Sequence, residues 1–196
     1  MSDSDIFFDF NKPIKWKFNL ILIILFLSLT AFINSQLLYT SSTFKNVDSN
    51  TMDSLKIFII VVAILFIILK NVALVSLHLL FLSIIARFKS TSVKFKYIFS
   101  ATLFLFLLTS FFKLLVSFTQ YIFEIDPNDY NIGSLNILDK GNTFLTSFDF
   151  VHIISTYIIF QILYKTFLLD KKTSFFISFI YYFIVLLSLI SLNILI

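Results

Sequence analysis

Apolar residues in this chain are not spaced as on a water-soluble helix or strand; they run on for stretches as long as a membrane is thick. Crossing ~30 Å of hydrocarbon takes about 20 residues at ~1.5 Å of helical rise each. Five segments meet that length: 18–39, 55–86, 97–123, 150–169 and 175–195. Phe, Ile and Val favour strands in water. In hydrocarbon, however, every backbone N–H and C=O must be paired within its own segment, so all five are predicted to be helices. The expected fold is all-α: an integral membrane bundle of five transmembrane helices over residues 18–196, behind a short cytoplasmic segment, 1–17.

The connections set the orientation. Lys12, Lys15 and Lys17 precede the first helix; Arg87, Lys89, Lys94 and Lys96 join the second to the third; Lys165, Lys171 and Lys172 flank the turn between the fourth and fifth. Asp48, Asp53, Glu124, Asp126, Asp129, Asp139 and Asp149 fall on the opposite side, against Lys45, Lys56 and Lys140. Basic loops stay in the cytoplasm, which places the N-terminus inside and the C-terminus outside. Trp16, between Lys15 and Lys17, is expected to anchor the first helix at the headgroups.

Composition narrows the function. The chain is 59% hydrophobic and 13% charged, with a mean hydropathy of +0.97, about half the charge of a soluble domain. It has no Cys, so disulfides, thiolate metal sites and a thiol nucleophile are excluded. The net charge of +4 is spread over short loops and forms no tract for nucleic acid. The expected partners are the lipid bilayer and other membrane proteins, with no nucleic acid and no cofactor. Integral membrane localisation follows, and in a bacterial host the cytoplasmic (inner) membrane.

Few groups suggest chemistry. His78 and His152 lie at poorly matched depths, so a shared metal site is not expected. Gly133 and Gly141 alone make no phosphate loop. Ser28, Ser76, Ser83, Ser110, Ser117, Ser155 and Ser188 suit helix packing and hydrogen bonds across the bundle better than catalysis. Asn34, Gln36, Gln120, Gln161 and Asn193 suit the same role. The candidate intramembrane polar residues are Lys70, His78 and Lys113. Lys70 lies 17 residues before Arg87 and Lys113 lies 17 after Lys96, so both sit ~25 Å above the basic loop. They either snorkel to the outer interface or share a polar cavity. The long outer connection, from Glu124 to Asp149, is the longest polar one and reads as a series of turns, a bland surface with a candidate partner surface as the alternative.

The order of parts resembles the Yip1 domain family, in its bacterial branch, over nearly the whole chain. One helix leads to a hairpin whose turn reads Ala86-Arg-Phe-Lys-Ser-Thr-Ser-Val-Lys-Phe-Lys-Tyr97. The outer connection ends in Leu145-Thr-Ser-Phe-Asp-Phe150, and a second turn, Asp170-Lys-Lys-Thr-Ser174, enters the last helix. The resemblance implies a five-helix, non-enzymatic scaffold or adaptor and assigns no individual functional residue. The alternative expectation is a small-solute transporter or channel subunit with a polar pathway near Lys70, His78 and Lys113.

Overall fold

The computed structural model describes residues 16–40, 49–88, 93–126, 130–140 and 142–195. The N-terminal segment expected in the cytoplasm lies outside them up to residue 15. The described residues are helical throughout their long segments: α1 (Trp16–Thr40), α2 (Ser49–Phe88), α3 (Phe95–Ile122), the short α4 (Thr143–Thr146), α5 (Phe150–Gln161) and α6 (Lys171–Leu195). Four stretches are long and apolar enough to cross a membrane: Trp16–Leu37, Ile60–Phe88, Phe95–Ile122 and Lys171–Ser188. The fourth expected span is a shorter apolar helix, Phe150–Thr166, about 25 Å long by helical rise.

Its ending is unusual. After Gln161 the chain widens into a π-helical turn, Ile162–Thr166. Phe167 N–H then reaches back to Ile162 O at 3.1 Å and Leu169 N–H to Leu163 O at 3.2 Å. Leu168 between them takes the left-handed conformation, with φ 54°, which stops the helix before its expected end at residue 169. Asp170 then starts α6 by accepting the Thr173 N–H at 2.9 Å, so α6 begins at Lys171 rather than at 175. Its carboxyl is fully exposed, and the Thr173 hydroxyl and N–H hold it below the usual carboxylate range.

Ring contacts fix the register of the bundle. Trp16 meets Phe99 at 6.1 Å and Phe26 meets Phe111 at 5.8 Å, so α1 and α3 run parallel. Helix α2 runs back between these two strokes and packs on both, and α5 packs on α3 and α6. Lys17 Nζ lies 5.6 Å from the Trp16 ring at the basic end of α1. The main buried cluster joins Ile23 and Leu27 of α1, Leu82 and Ile85 of α2, Leu103 and Leu105 of α3, and Ile159 and Leu163 of the fourth apolar helix. All of these lie in the half of the bundle nearer the basic loops.

Candidate functional site

His78 is at the centre of this arrangement. It stands ten residues before the end of α2, and Phe106 stands eleven after the start of α3. Tyr181 stands ten after the start of α6. Each is therefore about 15 Å from the basic end of its helix, near the middle of a ~30 Å hydrocarbon layer. The three side chains meet there: His78 lies 5.1 Å from the Phe106 ring and 5.3 Å from the Tyr181 ring, both edge-on. Phe81 packs on Tyr181 from one turn further along α2, at 5.3 Å.

Both imidazole nitrogens are engaged. Nδ1 lies 2.7 Å from Leu74 O, and since a carbonyl can only accept, Nδ1 is the donor. In the neutral ring Nε2 is then the acceptor, and the Tyr181 hydroxyl donates to it. His78 and Tyr181 are each 8% exposed. The bond ties α2 to α6 across 103 residues of sequence. His78 is thus the hydrogen-bonded bundle histidine expected when no metal partner is at hand. Among the described residues no group of three or more His, Cys, Asp or Glu comes together.

Lys113 belongs to a different level. It lies 18 residues along α3, about 12 Å further from the basic end than His78 by helical rise. With Ser110, Ser117 and Gln120 it follows the 3-4-3 spacing that places residues on one face of a helix. Ser110, Ser117 and Gln120 are buried and Lys113 is half-buried and partnered. Lys70 lies on the described backbone of α2, with its side chain outside the described residues. The structure therefore separates His78 from Lys113 by depth, and it surrounds Lys113 with polar neighbours along its own helix.

Most intramembrane hydroxyls turn inward on their own helices. Ser76, Ser155 and Ser188 donate to the carbonyls of Val72, Val151 and Ile184 at 2.9, 2.7 and 2.7 Å. At these three serines the expected bond across the bundle is replaced by back-bonding, which needs no second helix. Asn19, Asn34, Ser100, Thr166 and Ser174 keep buried polar atoms without a hydrogen bond. Gln120 does act between elements, donating to Tyr130 O at 2.7 Å.

That bond begins the connection out of α3. The connection after α3 is a folded segment, closed by a bridge between Ser134 and Asp149. Phe150 N–H donates to Gly133 O at 2.7 Å, and Leu135 N–H to Phe148 O at 3.3 Å. Inside it Asn136 accepts the Asn131 N–H and donates to Asn142 O at 3.1 Å. Asp149 caps α5 through the Val151 N–H at 2.8 Å. Gly133 is the close approach: a Cβ there would meet Val116 Cγ2 at 3.3 Å and Asn131 Oδ1 at 3.2 Å.

No signal in the sequence pointed to Tyr181 as the partner of His78, because the pairing depends on the relative register of two helices. The polar stripe on α3 was readable from its spacing. Comparisons with family models, curated proteins and solved structures give no match, so what stands is a multi-pass integral membrane protein whose family is not identified.

Proposed function

We propose that this protein is a non-enzymatic scaffold or adaptor of the Yip1-like type, which binds other membrane components through its lipid-facing helices. The observation that carries the reading is the use of His78. A histidine at mid-membrane depth would be the natural proton carrier or ligand, but here both ring nitrogens are bound by Leu74 O and Tyr181 within the fold. What the bundle offers outward is the flank of α2, where Leu65, Phe66, Leu69, Val72, Leu77 and Leu80 are all exposed. At 40 residues, α2 is also longer than α1 and α3, with 25 and 28.

Five crossings, with the N-terminus cytoplasmic and the C-terminus external, fit the same geometry. Phe150 touches Phe112 at 6.3 Å, about 26 Å from the basic end of α3 by rise. Thr166, at the other end of this helix, is only five residues before Lys171 at the basic end of α6. The short helix thus covers most of the depth its neighbours cover. A reporter fused after Ile196 is expected to be reached only from outside the cell, and one fused ahead of Met1 only from the cytoplasm. Cytoplasmic access to both would leave an even number of crossings and overturn the topology.

The scaffold reading is tested by a photo-crosslinking residue at Leu69 or Leu77. It should yield a discrete, stoichiometric protein adduct in native membranes, and an adduct with lipid alone at both positions would refute it. A second reading, a small-solute path, is favoured by the Ser110, Lys113, Ser117 and Gln120 face. Replacing Lys70 and Lys113 with Leu should then abolish solute flux in reconstituted vesicles, and unchanged flux removes that reading.

A further inference from the structure

Residues 130–140 and 142–149 lie beside the outer part of α3 rather than beyond its end. Three contacts set their depth: Tyr130 accepts from Gln120, Gly133 abuts Val116, and Phe150 touches Phe112. Counted from Phe95, Gln120, Val116 and Phe112 stand about 38, 32 and 26 Å from the basic end of α3. If that end marks one edge of a ~30 Å hydrocarbon layer, the segment descends through the outer headgroups and reaches the first part of the acyl chains.

Its side chains are sorted for such a place and not for water. Ser134, Asn136 and Ser147 are buried, the last two at 2% exposure, while Leu135, Ile137, Leu138 and Phe144 are 45%, 49%, 78% and 51% exposed. A water-washed turn puts its amides and hydroxyls outside and its Leu and Phe inside; here the order is reversed. Irregular backbone survives at membrane depth only where its polar groups are paired. Consecutive local bonds provide that pairing, from Ile137 N–H to Ser134 O, Asp139 N–H to Asn136 O, Asn142 N–H to Asp139 O, and Ser147 N–H to Phe144 O. On the neighbouring helices Leu115 and Phe118 of α3 and Ile153 of α5 are exposed too. Asp139 and Lys140 are exposed as well, and charges of this kind are accommodated at the headgroups.

We infer that this segment is a re-entrant interfacial element whose Leu135, Ile137, Leu138 and Phe144 edge inserts into the outer leaflet, its occupant being the boundary between lipid headgroups and acyl chains. The inference rests on the membrane reading and completes it, because the segment occupies the depth that the short α5 leaves uncovered.

The chain contains no Cys, so single environment-sensitive labels can be placed by Leu138→Cys, Phe144→Cys and Leu135→Cys. Glu124→Cys serves as the aqueous reference and Leu77→Cys as the mid-membrane reference. Each full-length variant that elutes like the wild type is reconstituted in phosphatidylcholine vesicles brominated at shallow or deep acyl positions, with iodide as the aqueous quencher. Labels at 138, 144 and 135 should be quenched severalfold more by shallow than by deep bromines, and protected severalfold from iodide relative to 124. Iodide reaching them as freely as it reaches 124 would overturn the inference. So would protection from both quenchers, which would mean that protein, such as a second copy of the chain, covers the edge. If deep bromines fail to quench the label at 77, the membrane reading itself falls, and that result is distinct from the other two.

Discussion

Tyr181→Phe removes one oxygen atom and tests how α6 is held to the rest of the bundle. In the wild type the hydroxyl donates to His78 Nε2 at a place where both residues are 8% exposed. The substitution keeps the ring contacts with His78 and Phe81, both at 5.3 Å, so it isolates the hydrogen bond. The imidazole is left with an unpaired nitrogen about 15 Å from either edge of the hydrocarbon, beyond easy reach of water. Orphaning a buried polar group costs about 1–3 kcal/mol. Measured interhelical bonds in membranes are weaker, averaging ~0.6 kcal/mol with a maximum near 1.7. The expected loss is therefore about 1–1.5 kcal/mol, roughly tenfold in the unfolding equilibrium. His78→Leu should cost more, because it also removes the edge contacts with Phe106 and Tyr181, each worth ~0.5–1.5 kcal/mol between aromatic rings. The double variant should then cost less than the sum of the two singles by about 0.6–1.7 kcal/mol. Equilibrium unfolding in mixed micelles of a mild detergent and dodecyl sulfate, followed by far-ultraviolet circular dichroism, measures all four proteins. Additivity within about 0.4 kcal/mol would show that the two residues do not act as a pair and would refute the proposed lock.

Two further outcomes follow from the helix ends. Glu124 holds φ 51° in the turn that closes α3, where Ile125 N–H donates to Gln120 O at 2.9 Å and Glu124 N–H to Tyr121 O at 3.2 Å. Glu124→Gly should relieve the left-handed strain, offset by extra chain entropy, for a net gain of about 0.5–1 kcal/mol in the same unfolding assay; a loss would refute the strain. At the start of α6, Asp170 has its carboxyl held below the usual range by the Thr173 hydroxyl and N–H, so the cap contributes above the unfolded pKa and its contribution disappears as pH falls through the lowered folded value. The stability gap between wild type and Asp170→Ala should accordingly be constant near neutrality and narrow under strong acid, and a gap that persists unchanged there would remove the charge from the explanation.

The long helices were legible because hydrocarbon leaves the backbone one solution, and the boundaries of α1 and α3 fall within about two residues of those expected from the apolar runs. Helix α2 starts earlier than residue 55, at Ser49, because nothing between them breaks the helix. The end near Thr166 was not legible: it rests on a π-helical turn and on a left-handed Leu168, and Leu carries no mark of that conformation in sequence. The His78–Tyr181 pair was hidden for a related reason. A run of apolar residues fixes that a helix crosses, but not how far it slides along its neighbour, and a shift of one turn, ~5.4 Å, would break the contact. For residues 130–149 the composition marks turns but not which side chains face inward. Asn136 and Ser147 are buried, and the Asn136 amide bonds to the backbone around it.

The bundle changes with depth along α3. Its apolar core lies between the basic loops and the level of Phe106 and Tyr181, where Leu82, Leu105, Ile159 and Leu163 are at most 1% exposed. Beyond that level the buried side chains of α3 are all polar, Thr109, Ser110, Ser117 and Gln120, while Ala31, Leu37, Val151 and Leu186 stay buried on the other helices. Helices that share a large apolar interface in hydrocarbon gain only packing, whereas buried polar groups there must find partners or be costly. The inner half buries polar groups as well, with Asn19, Ser100, Thr102, Thr166, Ser174 and Ser178 among its apolar residues. At the outer level the segment after α3 supplies one such partner, Tyr130 O, which accepts from Gln120. A helix in place of that segment would have its own backbone bonds satisfied and little to offer the stripe. A short α5 preceded by an irregular segment leaves a backbone carbonyl to meet the α3 stripe, as Tyr130 O meets Gln120.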